Sequence, residues 1–114
     1  MEIIFSIEPE FLEAELSGSF TQDAMVDFLK QLGTKDSNKI LIDASELQNT
    51  NLSYELRFDI TNISVIILDK DTKFAVVRPA KNNNNFIIDN LQRLGYSIQI
   101  FSKKNKAKQW LLKK

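Results

Sequence analysis

Short apolar runs alternate with amphipathic stretches of helical period along this chain, and the alternation predicts an α/β fold. Two observations carry that expectation. Lys39-Ile40-Leu41-Ile42-Asp43 and Lys73-Phe74-Ala75-Val76-Val77-Arg78 are continuous apolar runs, the pattern of strands buried on both faces of a parallel sheet. Between and after them, apolar residues recur every three or four positions, as on one face of a helix. The predicted order is ββαβαβαβα: a mainly parallel sheet of about five strands, opened by an N-terminal antiparallel hairpin and set between about four helices by right-handed crossovers.

The elements follow in order. Ile3, Phe5 and Ile7 alternate with polar residues, and so do Leu12, Ala14 and Leu16, with Glu13, Glu15 and Ser17 facing the other way. The turn at Glu8-Pro9-Glu10 joins the two runs as a hairpin. Thr21 reads as an N-cap, with Phe20 and Met25 placed as a hydrophobic staple and Ala24, Met25, Phe28, Leu29 and Leu32 as the inner face of a helix that Gly33 ends. The Lys39–Asp43 strand places Asp43 at its carboxyl end. Leu52, Leu56, Ile60, Ile63 and Ile67 form the core stripe of a helix from about Ser53, whose last turn, Val65-Ile66-Ile67-Leu68, also reads as strand.

Asp69-Lys70-Asp71 is a turn, and Pro79 stops the strand that follows it. Ile87, Ile88, Leu91 and Leu94 define a third helix closed by Gly95, with Leu91 and Tyr96 spaced for a Schellman motif. Ser97–Phe101 is a further strand. Ser102 is placed to cap a last helix whose inner face is Ala107, Trp110 and Leu111. No linker or repeat divides residues 1–114, so the expectation is one domain, long enough to bury roughly two-thirds of its unfolded surface. In open sheets of this kind ligands meet the loops after the strands, here Asp43 to Asn51, Pro79 to Asn84, and Ser102.

Composition narrows the chemistry. The chain has no cysteine and no histidine. Disulfides, thiolate metal sites, Ser-His-Asp hydrolysis and His-ligated zinc are therefore excluded, and a reducing, cytoplasmic location is expected. The amino terminus carries acids where a secretory leader would carry bases, and the longest apolar stretch, Val65–Leu68, is far too short for a membrane span. The net charge of zero hides a division: residues 1–72 hold fourteen acidic and five basic side chains, and residues 73–114 one acidic and ten basic. Such a division either neutralises itself within the fold or presents an anion-attracting face.

Asp43 and Glu46 are the nearest thing to paired carboxylates, with no nucleophile beside them; the alternative is that Asp43 accepts loop N–H groups and Glu46 is solvated. Arg78, Lys81 and Asn82-Asn83-Asn84-Asn85 precede a helix start, where free N–H groups favour anions, though the glycines of a phosphate loop are missing. Lys103, Lys104, Lys106 and Lys108 surround another helix start, where their charge opposes the dipole. They lack the interleaved aromatics of a nucleic-acid site. The anion-binding candidates are Arg78, Lys81, Lys103 and Lys104.

Three pieces of the chain carry a resemblance: Ile40-Leu41-Ile42-Asp43-Ala44-Ser45, Phe74-Ala75-Val76-Val77, and Ile100-Phe101-Ser102 followed by Ala107-Lys108-Gln109-Trp110-Leu111. Together they resemble the SpoIIAA-like domains, related in fold to the STAS regulators and the CRAL-TRIO lipid carriers. The resemblance implies a non-catalytic module that binds a protein partner, with Asp43, Ser45 and Ser53 as partner-binding or regulatory candidates.

Anti-sigma-factor antagonists of this group carry an Asp-Ser-Ser-Gly sequence with a phosphorylated serine before the helix that follows the central strand. The corresponding stretch here is Asn49-Thr50-Asn51-Leu52-Ser53-Tyr54-Glu55. Ser53 matches in position while the acid, the paired serine and the glycine are absent, so it is either a regulated position or simply an N-cap. The lipid-carrier relatives imply a second reading, a small apolar or anionic ligand held near Phe58, Phe86 or Phe101. Neither reading requires a cofactor, a metal, a nucleic acid or a membrane span, and the pattern carries no signature of an oligomeric state.

Overall fold

The computed structural model describes residues 1–79 and 85–113. Its elements are β1 (Glu2–Ile7), β2 (Leu12–Ser19), α1 (Gln22–Gly33), β3 (Lys39–Gln48), α2 (Tyr54–Ile67), β4 (Lys73–Val77), α3 (Phe86–Arg93), β5 (Ser97–Phe101) and α4 (Lys104–Leu112). The sheet runs β1-β2-β3-β4-β5 in the order of the chain; β1 and β2 are antiparallel and every other pair is parallel. The ambiguous segment before Leu68 is helical to Ile67, with the Leu68 N–H donating to the Ser64 carbonyl.

This order decides where the helices lie. Right-handed crossovers that always step in the same direction leave their helices on the same face of the sheet. So α1, α2 and α3 share one face, where Phe28, Leu29, Leu32, Ile60 and Leu91 pack on Leu12, Ala14, Leu16, Ile40, Ile42, Phe74, Val76 and Ile98. Only α4, entered after the last strand, covers the other face, with Ala107 and Leu111 against Leu41, Ala75 and Val77. The sheet lies between helices as expected, but three to one. The strand order never reverses, so the sheet has no topological switch point.

Local chemistry explains most element ends. Thr21 Oγ1 accepts from the Ala24 N–H at 3.2 Å, and Ser53 Oγ from the Leu56 N–H at 3.2 Å. After α3, the Tyr96 N–H donates to the Leu91 carbonyl and the Gly95 N–H to that of Gln92, with Gly95 at φ +97°, which is the expected Schellman motif.

Three expectations are corrected. Strand β3 does not stop at Asp43 but continues to Gln48, because an extra residue bulges between the pairs Glu15/Asp43 and Ser17/Glu46 and lets pairing resume. Gly33 is the last residue of α1, as expected, but it does not end the helix by a left-handed turn, and Thr34 is the cap. Its missing side chain serves packing, since a Cβ there would stand 2.7 Å from Ile67 Cγ2 on α2. Ser102 does not cap α4, whose N-cap is Lys103 with no side-chain bond. β5 runs into α4 through only two residues, Ser102 and Lys103.

Candidate functional site

On the α4 face, Asp43 and Ser45 are brought together by the β3 bulge. Asp43 Oδ1 accepts from the Ser45 N–H at 3.1 Å and from its hydroxyl at 2.6 Å. The other Asp43 oxygen lies 3.6 Å from Lys104 Nζ, which donates to Glu13 Oε2 at 2.6 Å. Both carboxylates are buried and Lys104 is partly exposed. The hydrogen bond to Glu13 is the main cause that raises the Lys104 pKa above its ordinary value, against the cost of burial and with the attraction of both acids.

The buried carboxylates are therefore Glu13 and Asp43, not Asp43 and Glu46, whose side chain is exposed. Sequence reading missed Glu13 because alternation along β2 assigns it to a solvated face. The parallel register with β3, and α4 lying over it, turn that face inward. The Lys104 charge, unfavourable to its own helix start, is explained by these two acids. One cation of the basic half thus neutralises acids of the front half.

The opposite side of the carboxyl edge is different in kind. α2 starts at the Ser53 cap and turns Leu52, Leu56 and Ile60 inward, as predicted. Its outer side carries Tyr54, Phe58 and Ile66, exposed by 65%, 49% and 82%. Tyr54 and Phe58, four positions apart, stand one above the other, and Ile66 lies two turns further on, beyond Asn62 and about 80° round the helix. The Tyr54 ring lies 6.4 Å from that of Phe58 and 5.2 Å, edge-on, from that of Phe86. This group went unremarked in the sequence, although its phase is legible there: each member lies off the stripe Leu52, Leu56, Ile60, Ile63, Ile67.

Arg78 follows β4 and is half-buried on this same side of the sheet, at the end of an apolar cavity of about 140 Å³ between the sheet and α1, α2 and α3. Burial first, and then the neighbouring Arg57 charge, lower its pKa. The anion-binding candidates are thus divided by the sheet. Arg78 lies toward α2 and Lys104 toward α4, tied to two acids; Lys103 is exposed beside it, and Lys81 lies outside the described residues together with Asn82 to Asn84. Ser53 is likewise separated from Asp43 and Ser45.

The three phenylalanines proposed to hold an apolar ligand do not line this cavity. Phe58 and Phe86 belong to the outer aromatic group, and Phe101 packs on Trp110 at 5.7 Å on the α4 face. Among the described residues no group of acids could hold a metal ion, and no helix is long and apolar enough to cross a membrane.

No family model and no curated protein matches the sequence. Solved structures do match the fold. An anti-sigma factor antagonist from Mycobacterium paratuberculosis superposes with a TM-score of 0.69 at 15% identity, over 98% of this chain and 94% of that one. An uncharacterized protein of the DUF3478 family with a SpoIIAA-like fold, from Shewanella loihica, gives a TM-score of 0.62 at 18% identity, over 96% and 92% of the two chains. With its five-stranded mixed sheet, three helices on one face and one on the other, the chain has a SpoIIAA-like fold.

Proposed function

We propose that residues 1–114 act as one non-enzymatic, cytoplasmic module of the STAS type, which regulates by binding a protein partner through the outer face of α2. The observation that carries this reading is the stacked pair Tyr54 and Phe58, with Ile66 further along, large apolar side chains left exposed on a helix whose inner stripe already fills the core. Apolar and aromatic residues clustered on a surface are the usual anchors of a protein interface. The fold shared with an anti-sigma factor antagonist supports the same direction. Asp43 and Ser45, which bond each other at the β3 bulge, lie away from this surface and are not needed for the reading.

In this reading Ser53, exposed and adjacent to Tyr54, is the regulated position. A phosphate there would add charge at the edge of the apolar group while keeping the helix start in favourable contact with an anion. The reading is tested by affinity capture from extract of the source cells, with the unmodified protein and with Phe58→Ser and Ile66→Ser as paired baits. A partner retained by the first and lost from both variants, each still folded by circular dichroism, is the expected result. Capture of nothing, or of the same proteins by all three baits, overturns it.

A further inference from the structure

We propose a ligand site that is independent of any protein partner: the cavity beneath α2 takes up the hydrocarbon part of a small carboxylate, whose head group is held by Arg78. Protein interiors are packed closely enough that voids larger than a water molecule are few. The cavity here is about 140 Å³, walled by residues such as Phe28, Ile42, Leu47, Ile60, Val76 and Ile98. An apolar cavity of about 150 Å³ stays dry and admits a molecule the size of benzene. The available space therefore fits a ring or a short alkyl chain.

The polar side of the site defines the head group. Of the described residues lining the cavity only Arg78 is charged, and only Thr50 and Ser64 are otherwise polar. The Ser64 hydroxyl is already spent on the Ile60 carbonyl at 2.8 Å. Arg78, directly after β4, and Thr50, in the loop after β3, both line the cavity. Both ion pairs of the described residues are made by Lys104, which leaves Arg78 with no carboxylate partner among them.

Arg57, on the first turns of α2, brings a second guanidinium close enough that its charge is felt at Arg78. Two cations of which one is half-buried call for an anion, and the planar fork of arginine matches a carboxylate with two parallel hydrogen bonds. Charge and cavity thus specify one molecule with two parts: an anionic head at Arg78, and an apolar body about the size of a benzene ring inside.

The test uses the whole chain with methyl groups labelled for NMR, titrated with benzoate, hexanoate and the neutral analogue benzyl alcohol. Either acid is expected to saturate and to shift the methyl signals of Leu52, Ile60 and Ile87. Benzyl alcohol, or benzoate with the Arg78→Met variant, should bind about tenfold more weakly or worse, as loss of a charge-assisted hydrogen bond requires. Should Arg78→Met prove unfolded, the acid against the alcohol on the unmodified protein decides, with Arg57→Met as the second variant. No saturation by either acid up to millimolar concentration overturns the proposal. So does an alcohol that binds as tightly as the acid, or shifts confined to the methyl groups of Ala107 and Leu111 on α4.

Discussion

Lys104 Nζ lies 2.6 Å from Glu13 Oε2, across 91 positions of the chain, and thereby ties the start of α4 to the second strand of the sheet. Asp43, 3.6 Å away, shares the same ammonium. Removing the cation leaves two buried acids without a counter-charge. Lys104→Met should therefore destabilise the fold by about 1–2 kcal/mol, less than for a fully buried pair because Lys104 is partly in water. Adding Glu13→Gln to that variant should recover part of the loss, measured as the midpoint of urea unfolding. Two single variants whose effects simply add would show that the pair contributes nothing.

The same ammonium gives a pH dependence. Its pKa is raised in the folded state above the ordinary 10.5, so its contribution is complete below that value and is lost as pH climbs through the folded pKa. Stability of the parent should fall more steeply than that of Lys104→Met as pH rises beyond about 10. Parallel curves for the two proteins in that range would remove this account.

Gly33 and Ile67 give an opposite-signed test of helix propensity. Alanine in place of a helical glycine ordinarily stabilises by about 1 kcal/mol. Here the new methyl would meet Ile67 Cγ2 at 2.7 Å, so Gly33→Ala should instead destabilise by about 1–2 kcal/mol through overpacking. Ile67→Leu removes that methyl branch, and the double variant should regain stability in thermal melts. A stabilised Gly33→Ala single variant would show that α1 and α2 can part at no cost.

Ser53→Ala should cost about 1 kcal/mol, the usual effect of losing an N-cap, while Ser53→Asp should hold parental stability because aspartate caps equally well. If Ser53 is also the regulated position, the aspartate variant should lose the captured partner with its fold intact. Undiminished capture by Ser53→Asp would end that assignment and leave the cap as the whole role of Ser53.

Trp110 joins three elements: its ring lies 5.7 Å from Phe101, Lys73 Nζ stands 4.4 Å over it, and the same ammonium donates to its carbonyl at 2.6 Å. Trp110→Ala should cost about 3 kcal/mol in denaturant melts, from lost packing and lost cation–π contact. Trp110→Phe should recover most of it. An alanine variant within about 0.5 kcal/mol of the parent would place the ring on the surface instead.

Features governed by neighbours in the chain could be read from the sequence alone. The nine elements and their order, the Thr21 and Ser53 caps, the Schellman turn at Leu91–Tyr96 and the inner stripe of α2 all depend on side chains within a few positions of the backbone groups they satisfy. The fold followed from them, since right-handed crossovers leave few ways to arrange the elements.

Other features belonged to the tertiary structure, because each requires the register between distant strands or the contact of two helices. The bulge that carries β3 past Asp43 exists only against β2, and the salt link of Glu13, Asp43 and Lys104 exists only once α4 lies over that register. The reason for glycine at position 33 lies on another helix, at Ile67. The cavity at Arg78 and the charge of Arg57 beside it arise where three helices and the sheet fail to fill a volume together. No stretch of sequence contains that volume, since packing is a property of surfaces that meet only after the chain has folded.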